Sequence, residues 1–407
     1  MHDVLIIGGG IAGLTTALTL HEAGIACRVF EAAPSIEPIG VGINVLPHAS
    51  AILARLGLEP ALSAVAVQTT ESAFFNRFGQ LIYREPLGRA AGYAQSQFSI
   101  HRGDLQRVLH EAVIARLGSE RVALNRRCVA VEASNTGTIA RFSDGSSAMG
   151  SLVIACDGIH SVIRKQLYPH EGAPRYAGVN MWRGVTRWRP FLSGATMVRA
   201  GWLACGKMVI YPIRDSIDAG GRQLVNWVAE IETPADTSRD WTRGGRLEDF
   251  LWAFKDWHFD WLDVPSFLRA ADVVLEFPMV DQDPLPAWSF GRLTLLGDAA
   301  HPMVPRGSNG AGQAILDADV IARCLKQNAD PVVALKAYEA ARLGPTTDVV
   351  LTNRKNPPDA ILREVFVRSG DKPFARIEDV ISPAELAAIS DSYKRVAQYD
   401  KATLAAR

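Results

Sequence analysis

The chain has 407 residues, of which 43 are Lys or Arg and 43 are Asp or Glu, so its formal net charge is zero. This balance excludes the broad basic surface of a nucleic-acid-binding protein, and we expect a small partner instead. The length exceeds that of a usual single core, which predicts two domains with room for a buried cofactor. The 5 cysteines are scattered without a Cys-x-x-Cys pair, which indicates reduced thiols and no zinc site.

The chain opens on an apolar run at residues 4–7 that breaks into Gly-x-Gly-x-x-Gly at Gly8, Gly10 and Gly13. This spacing predicts a buried strand, a tight turn and a helix whose N-terminus faces a phosphate. A second strand ends at Glu31, at about the separation where an acid binds the adenosine ribose of a dinucleotide. We therefore expect a dinucleotide site, the alternative being a glycine-rich turn in an ordinary βαβ unit.

The same segment, residues 4–20, is uncharged and almost long enough to span a membrane. Four glycines interrupt it and no basic region precedes it, so we expect a strand and a helix without membrane insertion, in a cytoplasmic protein.

The middle of the chain alternates between helical and strand-like patterns. Residues 68–100 are strand-like, with a hairpin turn at 76–80, and a second strand-like region covers 175–279. Eight of the tryptophans lie in that second region, where they predict either an aromatic substrate chamber or ordinary core packing. We predict a discontinuous dinucleotide-binding domain at 1–67, 101–174 and 280–345, a β-rich substrate domain at 68–100 and 175–279, and a helical tail at 346–407.

Two further motifs follow apolar strands. The first is an Asp-Gly turn at Asp157, with a serine near the start of the next helix. The second is a Gly-Asp pair at Asp298, which leads through Gly310 and Gly312 into a helix. A carboxylate at a strand end can accept hydrogen bonds from polyol hydroxyls, and a glycine-rich helix start can hold an anionic ring edge.

In this order the three motifs resemble the class A flavoprotein aromatic hydroxylases, the family of para-hydroxybenzoate hydroxylase and salicylate hydroxylase. The segments around Gly42, Asp157 and Arg183 resemble the phenazine-modifying hydroxylases of pyocyanin biosynthesis and, in part, the 6-hydroxynicotinate monooxygenases. The resemblance implies an α/β fold: a Rossmann-like FAD-binding domain of the GR2 type, an interleaved, mostly antiparallel β-sheet substrate domain and C-terminal helices.

The resemblance also implies the site residues. Arg102 would contact the FAD phosphates or ribityl chain, Asp298 the ribityl hydroxyls, and Pro305 the flavin ring. Arg183 and Tyr211 are candidates for orienting the substrate, and His301 is a weaker one. No metal is implied. The full set expected to bind the cofactor is Gly8, Gly10, Gly13, Glu31, Gly42, Ile43, Arg102, Val129, Asp157, Asp298, Pro305, Gly310, Ala311 and Gly312.

The activity implied is hydroxylation of a small aromatic or N-heteroaromatic molecule with NADH or NADPH and O2, through a flavin C4a-hydroperoxide. The alternatives are a flavin-dependent oxidase, dehydrogenase or halogenase on the same scaffold, or a non-catalytic FAD-bound interaction protein. A halogenase would need a Trp-x-Trp-x-Ile-Pro segment, which residues 182–190 do not supply. The sequence indicates neither the choice of nicotinamide cofactor nor the oligomeric state.

Overall fold

The computed structural model describes residues 3–36, 40–233, 244–355 and 359–405. Its helices are α1 Ile11–Glu22, α2 Pro47–Arg55, α3 Glu59–Ser63, α4 Arg102–Leu117, α5 Val162–Leu167, α6 Val264–Arg269, α7 Gly310–Gln327, α8 Pro331–Lys355, α9 Ala360–Ser369, α10 Pro383–Val396 and α11 Lys401–Ala405.

The strands are β1 Asp3–Ile7, β2 Ala26–Phe30, β3 Gly42–Val45, β4 Ala66–Gln68, β5 Glu71–Phe75, β6 Leu81–Pro86, β7 Phe98–His101, β8 Val122–Ala123, β9 Cys128–Ala133, β10 Thr138–Phe142, β11 Ser147–Gly150, β12 Leu152–Ala155, β13 Arg175–Trp188, β14 Thr196–Trp202, β15 Gly206–Arg214, β16 Gln223–Glu232, β17 His258–Phe259, β18 Leu262–Asp263, β19 Ala271–Asp281, β20 Ser289–Phe290 and β21 Leu293–Leu295.

A six-stranded sheet in the order β20-β21-β12-β1-β2-β8 carries the three motifs. Strand β1 pairs in parallel with β2 and β12, and β12 pairs in parallel with β21. Because these strands run the same way, the turns that follow β1, β12 and β21 lie at one edge of the sheet. The sheet therefore brings together Gly8, Asp157 and Asp298, which are far apart in sequence.

The second large sheet has seven strands in the order β19-β13-β16-β15-β14-β5-β6. Its pairings are antiparallel except between β5 and β14. The mixed α/β fold with a mostly antiparallel second sheet and C-terminal helices confirms the expected fold class.

Side chains alternate between the two faces of this second sheet, as expected for strands. On one face Trp182, Trp227 and Trp257 pack with Phe250 and Phe254 in a buried apolar cluster. These tryptophans are core residues, so the core interpretation is confirmed and the aromatic substrate chamber is wrong for them. Trp241 lies outside the described residues.

The C-terminal helices cover one end of the seven-stranded sheet. Ile361 and Leu362 of α9 and Leu386 of α10 pack against Phe74 and Ile82 on β5 and β6. The buried residues of α10 are Leu386, Ser390 and Tyr393. Within the ranges given above, the protein has no helix with the length and apolar character needed to cross a membrane.

Candidate active site

One cavity of about 350 Å³ is lined by residues from both large sheets and from the C-terminal segment. Gly10 and Ala12 lie at one end, beside the first glycine motif, and Lys207, Glu230 and Asp359 line the wall contributed by the second sheet and the C-terminal segment. Opposite ends of one cavity are thus formed by a dinucleotide motif and by the predicted substrate sheet.

The first glycine motif forms a close turn with open space in front of it. A Cβ on Gly8 would lie 2.3 Å from the Cys156 carbonyl oxygen, and one on Gly13 would lie 1.9 Å from the Gly8 carbonyl oxygen. A Cβ on Gly10 would meet no atom of the described residues within 4 Å. The N-terminus of α1 has no side-chain cap, so its N–H groups suit the phosphates of FAD.

Glu31 lies beside this turn at the end of β2. Its carboxylate accepts hydrogen bonds from the Gly9 N–H at 2.6 Å and the Ala33 N–H at 2.7 Å. These bonds fix the side chain, and each oxygen keeps a lone pair for a ribose hydroxyl. Val129, by contrast, lies on β9 with 46% of its surface exposed and is not among the residues that line the cavity.

Asp157 caps the start of α5. Its carboxylate accepts hydrogen bonds from the Ser161 hydroxyl at 2.6 Å and the Val162 N–H at 2.9 Å. Its neighbours Cys156 and Gly158 line the cavity, whereas Asp157 itself is not among the lining residues. The Asp-Gly motif therefore orders the turn beside the cavity, and a direct contact of Asp157 with a cofactor stays a prediction.

Asp298 follows β21 and faces the cavity, which is where its side chain is accessible. Protein atoms surround it on the other sides, and this burial raises its pKa, while His301 and Arg102 act in the opposite direction. Arg102, at the start of α4, also lines the cavity. A carboxylate that is open to the cavity suits the hydroxyls of a ribityl chain.

The loop at residues 305–310 leads into α7 and forms another wall, which we call the ring-edge loop. Pro305, Gly310 and Ala311 line the cavity, and the N-terminus of α7 has no side-chain cap. Unpaired N–H groups at a helix start favour an anion, as the reduced flavin ring requires. Gly312 is not among the residues that line the cavity, and a Cβ on it would be 2.6 Å from Nε2 of His48.

The ring-edge loop is held from behind by Tyr393 of α10. The Tyr393 hydroxyl accepts a hydrogen bond from Nδ2 of Asn309 at 3.0 Å and donates one to Oδ1 of Asn353 at 2.8 Å. A Cβ on Gly307 would lie 1.9 Å from the same hydroxyl, so the loop and the tyrosine are in close contact. The C-terminal helices thereby set the position of a loop that lines the cavity.

We expect Tyr393→Phe to lower the unfolding free energy by about 1–3 kcal/mol, because it leaves the buried Asn309 and Asn353 without their shared partner. FAD should also dissociate faster, since the ring-edge loop loses its support. Denaturant unfolding and the rate of flavin release measure the two effects. Tyr83→Phe, on the half-buried β6, is the control for flavin release. Equal release rates for wild type and Tyr393→Phe would contradict this role.

Arg183 and Tyr211 lie next to each other on the cavity face of the second sheet. Nη2 of Arg183 donates a hydrogen bond to the Gly42 carbonyl at 2.9 Å, while its buried Nε has no hydrogen-bond partner among the residues that the structure describes. Burial raises the pKa of Tyr211, and Arg183 opposes this shift, so the hydroxyl is protonated at neutral pH. Gly42 and Ile43 of β3 complete this part of the wall.

His301 does not line the cavity. It is 3% exposed, and its Nε2 lies 2.6 Å from Oδ2 of Asp317, which also pairs with Arg342 at 2.6 Å. Its ring packs beside Trp288. His301 is thus paired with a buried carboxylate, and its position gives it no contact with a substrate in the cavity.

Sequence reasoning missed a charged group in the cavity wall. Nζ of Lys207 lies 2.9 Å from Glu230 and 2.5 Å from Asp359, and Nε of Arg199 lies 3.1 Å from Asp359. Nε of Arg306 lies 4.0 Å from Glu230. Lysine within an otherwise apolar strand was the one available signal, because Asp359 is about 150 residues away in sequence.

The chain is similar to known flavoproteins over nearly its whole length. The family described as FAD binding domain matches residues 1–187. The chain is 42% identical to phenazine 1,6-dicarboxylic acid hydroxylase PhzS of Lysobacter antibioticus, with 97% of each chain covered. It is 32% identical to 6-hydroxynicotinate 3-monooxygenase of Pseudomonas fluorescens, with 83% of this chain and 87% of the relative covered.

The structure is similar to that of Klebsiella pneumoniae HpxO, which was solved with FAD and uric acid. The TM-score is 0.80 at 25% identity, and the match covers 98% of this chain and 97% of that one. The similarity therefore extends across both large sheets and the C-terminal helices.

Proposed function

The chain belongs to the FAD-dependent aromatic hydroxylases, and from this premise we propose that it binds a planar aromatic or N-heteroaromatic ring between Tyr211 and the ring-edge loop. It is an FAD-dependent monooxygenase that hydroxylates aromatic or heteroaromatic small molecules. The observation that carries the proposal is the single cavity that joins the Gly10 turn to Arg183 and Tyr211.

In this proposal the six-stranded sheet holds the cofactor. The N-terminus of α1 binds the pyrophosphate, Glu31 the adenosine ribose and Asp298 the ribityl hydroxyls. When bound, FAD supplies the redox chemistry, taking electrons from NADH or NADPH and activating molecular oxygen. The N-terminus of α7 favours negative charge at the edge of the cofactor ring.

The seven-stranded sheet holds the substrate. Tyr211 donates a hydrogen bond from its protonated hydroxyl, and Arg183 offers a cation to a polar substituent of the ring. The apolar side chains of Met181, Val209 and Val228 line the same wall and exclude water from the reacting ring. No side chain of the cavity is required as a nucleophile.

Two relatives suggest which rings to test, since their names specify a phenazine dicarboxylate and a hydroxynicotinate. The FAD-loaded enzyme should oxidise NADH or NADPH faster when a compound of this kind is present, and a hydroxylated product should form. If phenazines, hydroxypyridines, quinolones and hydroxybenzoates all leave NADH and NADPH oxidation at the substrate-free rate, the proposal is wrong.

We expect Tyr211→Phe to raise KM or lower kcat for the substrate by about 10- to 100-fold, because one oriented hydrogen bond to the ring is lost. Retention of FAD should stay at the wild-type level, since Tyr211 lies on the substrate sheet. Steady-state kinetics test the predicted loss of activity, and the flavin content of the purified variant tests the predicted retention of FAD. A loss of FAD equal to the loss of activity would contradict the division between the two sheets.

A cytoplasmic location is part of the same proposal. All five cysteines are unpaired, as expected for a reducing compartment where NADH and NADPH are supplied.

A further inference from the structure

The polar end of the cavity is formed by buried charged side chains that the mechanism above does not use. Arg199, Lys207 and Arg306 supply three cations, and Glu230 and Asp359 supply two carboxylates. Lys207 is 1% exposed and Glu230 is 4% exposed, so these charges are held away from bulk water. With Arg183, the wall carries four cations and two carboxylates, a formal excess of two positive charges.

A buried excess of positive charge is costly unless a ligand balances it. At the cofactor end, Arg102 and Asp298 offset each other, and the two negative charges of the FAD pyrophosphate would lie at the N-terminus of α1, at the other end of the cavity from this wall. Donors also remain in the wall. Nε of Arg306 lies 4.0 Å from Glu230, beyond hydrogen-bond distance. Lys207 has three N–H donors, of which Glu230 and Asp359 occupy two.

Asp359 belongs to the C-terminal segment, directly before α9. It reaches the second sheet at two points, 2.5 Å from Nζ of Lys207 and 3.1 Å from Nε of Arg199. Burial alone would raise the pKa of Asp359, but Lys207 and Arg199 hold it below its ordinary value, so the group is ionised at neutral pH. The C-terminal segment therefore places a fixed anion against the cations that a ligand would meet.

We propose, building on the proposed function, that this wall is a subsite for an ionised carboxylate on the aromatic substrate, with Arg306 and Lys207 as its cations and Asp359 as an internal counter-ion that limits affinity. A substrate carboxylate binds Arg306 and the remaining Lys207 donor, and it competes electrostatically with Asp359. An acid is then selected over the neutral molecule of the same shape, and a diacid matches the charge excess more fully than a monoacid.

Equilibrium binding to the FAD-loaded enzyme, without NADH or NADPH, tests this subsite. The probes are phenazine 1,6-dicarboxylate and 6-hydroxynicotinate, each compared with its carboxamide, and the readout is the change in the oxidised flavin spectrum on titration. We expect the wild type to bind each acid at least about tenfold more tightly than its amide, as for a charge-assisted pair in a buried site.

Two variants locate the effect. Arg306→Gln should weaken binding of the acids by about tenfold and leave binding of the amides unchanged. Asp359→Asn should tighten binding of the acids by about fivefold or more, because a competing negative charge is removed. Binding of the amides should again stay unchanged. Arg187→Gln is the matched control, since Arg187 lies on β13 with 63% of its side chain exposed.

The outcomes are distinguishable. If the ring compounds bind but each acid and its amide bind equally, or if Arg306→Gln weakens both alike, the carboxylate subsite is wrong while the proposed function stands. If Asp359→Asn weakens the acids, Asp359 is not a competing counter-ion. If no ring compound perturbs the flavin spectrum at any concentration tested, the proposed substrate class is overturned and this subsite with it.

Discussion

Gly10→Ala is expected to weaken FAD binding by at least about tenfold while leaving the FAD-free protein as stable as the wild type within about 1 kcal/mol. Gly10 has φ −75° and ψ −172°, which alanine adopts without strain, and within the described part of the chain its Cβ would meet no atom within 4 Å. The added methyl group therefore obstructs only what approaches from the cavity. A phosphate in contact with the α1 N-terminus would approach from that side.

Gly13→Ala separates this effect from damage to the fold. A Cβ there would lie 1.9 Å from the Gly8 carbonyl oxygen, so the turn must shift and we expect a loss of about 3 kcal/mol in unfolding free energy. Gly344→Ala, in α8 with open space around it, is the control and should bind FAD normally. Normal FAD affinity in Gly10→Ala would rule out a pyrophosphate at this helix end.

Asp298→Ala is expected to reduce FAD affinity by about 10- to 100-fold, because the ribityl hydroxyls lose a carboxylate acceptor in the cavity wall. The FAD-free protein should not be destabilised, since the Asp298 side chain is open to the cavity and the surrounding protein raises its pKa, so its ionised form is disfavoured there. Asp298→Asn keeps an acceptor oxygen, so its FAD affinity should lie between those of the wild type and Asp298→Ala. Isothermal titration of the FAD-free protein measures the affinities.

The raised pKa of Asp298 also gives the sign of a pH effect. A carboxyl whose folded-state pKa is raised costs folding energy as pH rises above the unfolded value of about 3.9. Without FAD, Asp298→Asn should therefore gain stability relative to wild type between acidic and neutral pH. Asp256→Ala, at an exposed position, is the control. Unchanged FAD affinity in Asp298→Ala would contradict the assignment of this residue to the ribityl chain.

The part of the site built by parallel strand ends could be predicted from sequence. Gly8, Asp157 and Asp298 each follow a short apolar strand, and parallel pairing alone brings such turns to one edge. Even there the chemistry of one residue was open: the Asp157 carboxylate is occupied by Ser161 and Val162 at the start of α5. The motif predicted the position of Asp157 but not the hydrogen-bond partners of its carboxylate.

The charged wall could not be predicted, because long-range packing creates it. Alternation along β15 places Lys207, Val209 and Tyr211 on the cavity face and Met208 and Ile210 in the core, but a strand pattern does not say which face is the site. Asp359 reaches that face only because α9 and α10 pack on β5 and β6. Likewise, the support of the ring-edge loop by Tyr393 depends on the docking of a tail that carries no motif.

We propose that the enzyme places one atom of molecular oxygen on an aromatic ring held between Tyr211 and the ring-edge loop. Turnover of the FAD-loaded enzyme under isotopically labelled oxygen gas, followed by mass spectrometry of the product, tests this most directly. We predict a ring hydroxyl that carries the label, with NADH or NADPH consumed in equal amount. An unlabelled hydroxyl derived from water, or hydrogen peroxide as the sole oxygen product, would contradict the account.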